Sequence, residues 1–394
     1  MAQATPLDEL QKYTRPVVRD PATVMPTATG DPFYAAPPGF ESTAPGTVLA
    51  SRVGGIGFTL TPVTSTELLI RSTDTKGNPV PVSATLLVPQ APWTGPGSRP
   101  VVAYNVAIDS LGHTCAPSFQ LRRGPSPDLV AAQIPLAENY AVVVPDHEGP
   151  RQAYAAGRMA GHAVLDSIRG AVNTPELRLR PDSPAVVTGY SGGAIASGWA
   201  AQLAPDYAPE LNLVGAVIGG VPADFELLLQ TMNGRNAAAG VFLAAALGVA
   251  REYPEMMWMF NDNGWRLAQS FKDLCFPGEA LLGAMLPVPA EMLTDEVDPL
   301  QDPVIRQVLT DNRMGAAAPS VPVYLYHGAH ELWVPLDGAE RLYADWCAQG
   351  VPVRLDVFPG EHIVVGSTGI PEANAWIDRM FAGDEPDGCS KGWR

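Results

Sequence analysis

The stretch Val186-Val187-Thr188-Gly189-Tyr190-Ser191-Gly192-Gly193-Ala194 constrains this chain more than any other. A β-branched run stops at small residues around a serine, and more small residues follow as in the first turns of a helix. Gly189 and Gly193 allow strand and helix to pack about a sharp turn, which holds the Ser191 hydroxyl where a base and a substrate carbonyl can reach it. The same spacing recurs at Gly388-Cys389-Ser390-Lys391-Gly392, but no apolar strand leads into it and only Trp393 and Arg394 follow. A motif of this kind means something only in its strand-turn-helix context. Ser191 is therefore the candidate nucleophile, and the second match reads as chance.

The 394 residues, 46% of them hydrophobic, can bury a large core and exceed what one simple domain needs. One catalytic domain carrying a sizeable insertion is expected. With 25 Lys and Arg against 41 Asp and Glu, the net charge of −16 repels phosphate backbones and anionic membrane surfaces, which argues against a nucleic-acid partner. No apolar run reaches the roughly 20 residues that cross a bilayer, so no transmembrane segment is expected. The start, Met1-Ala2-Gln3-Ala4-Thr5-Pro6, has neither a basic segment nor an apolar core of a signal peptide. It fits either a cytosolic chain or a mature form with an added Met1.

Along the chain, residues 1–50 are rich in Pro and Gly and read as an extended arm. Residues 57–61 and 66–88, the latter with a Lys76-Gly77-Asn78-Pro79 turn, suggest antiparallel starting strands with a hairpin. From Pro100 the texture changes. Short continuous β-branched runs at 101–106 and 140–145 are of the kind buried on both faces of a parallel sheet. Further strands are expected at 185–188, 213–218, 321–326 and 353–358, and between them lies helical or loop sequence such as 159–172, whose apolar residues mark one broad face of a helix. Repeated strand-helix-strand units predict an α/β fold with a mostly parallel sheet and helices on both faces. A long helix-prone segment breaks the rhythm and reads as a cap inserted over the carboxyl edge of the sheet. The expected organisation is an arm (1–50), a first core part (51–221), a helical cap or lid (222–319) and a second core part (320–394).

A neutral serine hydroxyl needs an imidazole to take its proton and a carboxylate to orient that imidazole. In serine hydrolases of this architecture the chain order is Ser, acid, His, with the last two on loops after late strands. His362 follows the run 353–358 through Pro359-Gly360-Glu361 and is the expected general base. Glu331 lies directly after the run 321–326 and is the expected acid, ahead of Asp337, while strand alternation can turn Asp356 away. His327 is expected to pack near the site and His330 to line the pocket. His113, His147 and His162 precede Ser191 and are set aside as bases. One oxyanion donor should be the amide of Gly192, the residue after the nucleophile; the other should come from the loop Ala107-Ile108-Asp109-Ser110-Leu111-Gly112, whose composition does not say which residue donates. No metal or organic cofactor is implied: Gly54-Gly55-Ile56-Gly57 lacks dinucleotide spacing, and no His and carboxylate cluster resembles a metal site. The four cysteines are widely separated and permit three pairings as disulfides, or free thiols.

Landmarks spread over the chain add to this reading. They include Tyr104-Asn105-Val106-Ala107-Ile108-Asp109-Ser110, Cys115-Ala116-Pro117-Ser118, Pro145-Asp146-His147-Glu148-Gly149-Pro150, Ala163-Val164-Leu165-Asp166-Ser167-Ile168-Arg169 and Tyr343-Ala344-Asp345-Trp346-Cys347. With the Ser191 turn they make the chain, from about Phe33 to Cys389, resemble the secretory lipase family. The resemblance implies an α/β-hydrolase fold, Ser191 as nucleophile, His362 as base, and Asp109 with Gly192 as the oxyanion hole. It also implies disulfides Cys115–Cys275 and Cys347–Cys389, secretion, and a helical lid over an acyl tunnel. The family usually has Asp where this chain has Glu331, which is one methylene longer. The expected activity is hydrolysis of acyl esters through an acyl-enzyme, with an ester or lipid substrate and transient contact with a lipid interface. A short-chain carboxylesterase or an acyltransferase is the alternative enzyme, and a non-catalytic binding protein the alternative class.

Overall fold

The computed structural model describes residues 16–57, 59–124, 129–174, 177–296 and 298–394. The chain start read for a signal peptide, and the first part of the arm, lie outside them. Ten strands form one sheet in the order β1-β2-β3-β5-β4-β6-β7-β8-β9-β10. They are β1 (Val48–Val53), β2 (Val63–Thr73), β3 (Pro79–Pro89), β4 (Val101–Asn105), β5 (Ala141–Pro145), β6 (Ala185–Tyr190), β7 (Leu213–Gly219), β8 (Val323–Gly328), β9 (Val353–Phe358) and β10 (Ser390–Trp393). The pairs β1/β2, β2/β3 and β3/β5 are antiparallel and all others parallel.

Local chemistry explains the joints. At the β2–β3 hairpin the Asp74 carboxylate accepts from the amides of Lys76 and Asn78 at 2.9 and 2.8 Å, and Gly77 takes φ +88°. Every residue of β5 is buried, as expected for a strand covered on both faces. The helix Gly157–Val172 packs against the helix Gly192–Tyr207, where Trp199 lies so close to Gly157 that any side chain there would collide with it. More of the first helix is buried than the one face read from its sequence: from Met159 to Val172 only Arg169 escapes burial.

Two edge strands differ from the sequence reading. The described residues of the segment read as a strand, 57 and 59–61, form none: Gly57 holds φ +53°, a conformation foreign to a β-ladder, and its amide donates to the Leu121 carbonyl. The edge strand is β1 instead, which begins inside the segment read as an arm and ends at Gly54 and Gly55, where the backbone passes against β2 and the helix Pro117–Arg123. At the opposite edge, β10 begins at the serine of the second Gly-x-Ser-x-Gly match and pairs in parallel with β9. The described part of the arm makes short 3-10 turns at Pro21–Val24, Pro32–Tyr34 and Phe40–Ser42, and Val24 is fully buried.

Between β7 and β8 the chain forms the helices Phe225–Thr231, Ala239–Glu252, Asp262–Phe271, Phe276–Met285 and Pro303–Asp311. Among the described residues, no helix is long and apolar enough to cross a membrane.

Candidate active site

Ser191 stands at the junction of β6 and the helix Gly192–Tyr207 with φ +55° and ψ −121°, a strained conformation for a residue with a side chain. What imposes it is on either side. A Cβ on Gly189 would strike the Gly193 carbonyl, and one on Gly193 would strike the Asn105 carbonyl, so strand and helix meet at backbone contact. The Ser191 amide donates to the Gly219 carbonyl on β7 at 2.9 Å, which fixes the turn to the middle of the sheet.

Two later loops reach this serine. His362 opens the helix His362–Thr368, whose N-cap Glu361 accepts from the amides of Ile363 and Val364. The Ser191 hydroxyl donates to His362 Nε2 at 2.8 Å, and His362 Nδ1–H donates to Glu331 Oε1 at 2.9 Å. The carboxylate of Glu331 is almost fully buried, as is the imidazole. Tyr190 donates its hydroxyl to the His362 carbonyl at 2.6 Å, and its ring and that of Trp333 flank the imidazole at 5.0 and 5.9 Å between centroids. These two aromatics were not singled out from sequence; only their adjacency to Ser191 and Glu331 hints at them.

The other polar candidates stand elsewhere. Asp337 is exposed in the first turn of the helix Leu336–Ala348, and Asp356 is buried among Arg354, Tyr324 and Arg394. His327 is fully buried, with Nδ1 3.7 Å from Glu331 Oε1. Burial, with the nearby His362, lowers its pKa to about 3, so this approach is a packing contact between a neutral ring and the carboxylate and not an ion pair. His330 corrects the sequence expectation: it is exposed and absent from the cavity wall, because its amide bonds the Gly360 carbonyl and the side chain turns to the surface.

Asp109 follows β4 with φ +46°, and its carboxylate lies over the α-carbon of Gly192, in the space that a side chain there would need. The two residues thus meet beside Ser191. Beyond them opens a cavity of about 390 Å³ bounded by Ser191, His362 and Asp109 on the sheet side and by apolar side chains such as Leu228, Phe242, Met256, Phe260 and Val308 from the 222–319 segment. Two disulfides, Cys115–Cys275 and Cys347–Cys389, close the pairings that spacing alone left open. The first joins the loop that carries Asp109 to the helical segment.

The chain's relatives agree with this architecture. A model of the family described as secretory lipase matches residues 126–388. A probable inactive lipase of Mycobacterium tuberculosis is 32% identical over 96% of this chain and 86% of its own length. A secreted triacylglycerol lipase of Malassezia restricta is 32% identical over 92% of this chain and 80% of its own. Among solved structures, Candida antarctica lipase A in its closed state superposes with a TM-score of 0.84 at 28% identity, covering 92% of this chain and 88% of that one. With its ten-stranded sheet, its strained Ser191 turn and these matches, the chain belongs to the secretory lipase family and has the α/β-hydrolase fold.

Proposed function

We propose that this protein hydrolyses carboxylic esters with apolar acyl chains through an acyl-enzyme on Ser191. The observation that carries the proposal is the unbroken hydrogen-bond chain from Ser191 through His362 to Glu331, opening onto the 390 Å³ apolar cavity. His362 Nε2 takes the Ser191 proton as Oγ attacks the ester carbonyl. Glu331 holds the tautomer in which Nε2 is free to accept, and stabilises the imidazolium that forms. The amides of Asp109 and Gly192 receive the oxyanion, and His362 then protonates the leaving alcohol. Water repeats the sequence and releases the acid.

The helical segment 222–319 acts as a cap, because it supplies most of the apolar wall around the acyl chain. The wall favours medium or long chains, and the Malassezia relative makes acylglycerols the first substrates to try. Two disulfides and the family's secretory character support an extracellular protein. A series of p-nitrophenyl esters tests the acyl assignment: turnover is expected to rise from acetate toward octanoate and longer, and activity confined to acetate and butyrate would make this a short-chain carboxylesterase. The mycobacterial relative named as inactive gives one observation in favour of a binding protein that keeps the fold. The intact Ser191–His362–Glu331 chain favours catalysis, and measured turnover on any ester of the series decides between them.

A further inference from the structure

Three consecutive side chains after β5 reach the same loop. His147 Nε2–H donates to the Val106 carbonyl at 2.8 Å, the Ser110 amide donates to Glu148 Oε1 at 3.4 Å, and Asp146 accepts from the Ser118 amide and hydroxyl at 2.9 and 2.5 Å. All three residues are buried. The loop they touch runs from the end of β4 to the start of the helix Pro117–Arg123, so it is gripped at its first residue, in its middle and just past its last, in the first turn of that helix. Asp109 lies inside it, in a left-handed conformation that persists only where surrounding contacts over-determine it.

The opposite side of the loop is held as well. The Leu111 amide donates to the Leu274 carbonyl at 3.0 Å, the Phe276 amide donates to Ser110 Oγ at 2.9 Å, and Cys115 is bonded to Cys275. Tyr154 lies near the Asp109 carboxylate, and its burial, helped by that charge, raises the pKa of its hydroxyl. Burial disfavours the charged form of each gripping group: it lowers the His147 pKa to about 4, raises that of Asp146 to about 7, and raises that of Glu148, which also faces the Asp109 carboxylate. Buried hydrogen bonds at both ends and in the middle of the loop leave the backbone around Asp109 little room to shift.

We propose that Asp146, His147 and Glu148 are positioning residues that set where the Asp109 amide stands relative to Ser191. The proposal rests on the reading of Asp109 and Gly192 as the oxyanion donors. Loss of one such donor costs about 10²–10³ in turnover, and a displacement near 1 Å costs up to about 10².

The test compares kcat, KM and inhibition in His147→Leu, His147→Gln, Glu148→Leu, Glu148→Gln and Ser118→Ala, with p-nitrophenyl butyrate as substrate. The inhibitors are an alkyl trifluoromethyl ketone, which forms a hemiketal oxyanion on the serine, and its methyl ketone analogue. In the leucine variants kcat is expected to fall about 10–100-fold with KM within about threefold. Inhibition by the trifluoromethyl ketone should weaken by the same factor, and inhibition by the methyl ketone should not. The glutamine variants keep a donor near Nε2 of residue 147 and an acceptor at residue 148, and are expected to recover most of the loss. Ser118→Ala removes one hydroxyl from the helix turn just past the far end of the loop and should show the same pattern on a scale of about 3–10-fold; it decides the matter if a leucine variant does not fold.

If the unsubstituted enzyme does not prefer the trifluoromethyl ketone, the oxyanion assignment itself fails. If it does, and the variants keep their kcat or lose it without losing that preference, the positioning role is overturned while the oxyanion assignment stands.

Discussion

Gly189-Tyr190-Ser191-Gly192-Gly193 and Gly388-Cys389-Ser390-Lys391-Gly392 share one spacing, and the fold puts them to opposite uses. The first ends a buried central strand and begins a long helix, so its serine is forced to φ +55° and meets an imidazole. The second lies at the sheet's edge: Ser390 opens β10, its side chain is exposed, and the neighbouring Cys389 is tied to Cys347. Gly189 and Gly193 both stand against backbone carbonyls, whereas nothing lies within 4 Å of where a side chain on Gly388 would go and one on Gly392 would meet the Asp356 and Arg354 side chains. A pentapeptide takes the strained turn through the strand and helix that press backbone against backbone around it.

The comparison can be broken most sharply by kinetics. Ser191→Ala should lower turnover by about 10⁶ and Glu331→Ala by about 10⁴, the smaller loss reflecting an acid that orients without reacting. Ser390→Ala should leave kcat and KM as they were. A comparable loss at Ser390, or near-normal turnover in Ser191→Ala, would reverse the assignment of the two motifs.

A smaller effect separates the glycines. Gly193→Ala drives a methyl group into the Asn105 carbonyl and should destabilise the fold by about 3 kcal/mol in urea unfolding, with activity falling alongside. Gly388→Ala meets only the backbone cost of φ +63°, about 1 kcal/mol, with turnover intact. Equal costs at the two sites would show that close packing is not what distinguishes them.

The smallest expected difference is a pH slope that belongs to the buried surroundings of the first turn. Glu279, fully buried on the helix Phe276–Met285, has its pKa raised to about 9 by burial, with repulsion from Asp109 adding and Arg251 opposing. Glu148 is raised in the same way. Between pH 7 and 9 the folded protein therefore keeps protons that the unfolded chain, with glutamates near 4.3, has already lost. Stability must fall as pH rises through that window. The melting temperature of Glu279→Gln should decline less steeply from pH 7 to 9 than that of the unsubstituted protein, and parallel slopes would contradict the assignment of a buried neutral carboxyl.

Much of this was legible in the sequence where the signal is local. Runs such as 101–106 and 140–145 announce strands buried on both faces, and chain order set aside three of six histidines before loop position singled out His362. Edge strands were not legible: Ser390–Trp393 has no strand pattern, and Thr-Leu-Thr at 59–61 has one without being a strand, because edge pairing depends on the partner and on a glycine's φ. Asp109 and the disulfide partners came from resemblance to a family, since nothing in a six-residue loop or in the spacing of four cysteines fixes them. The roles of Tyr190, Trp333 and the Asp146-His147-Glu148 run depend on contacts between distant segments, which composition does not encode.

Covalent capture tests the central claim most directly. The unsubstituted protein is incubated with an alkyl fluorophosphonate and digested, and the modified residue is located by mass spectrometry. One adduct per molecule on Ser191, abolished in His362→Ala and unchanged in Ser390→Ala, is the predicted result. A folded protein that takes no label, or takes it at any other serine, would contradict the assignment of Ser191 as the nucleophile.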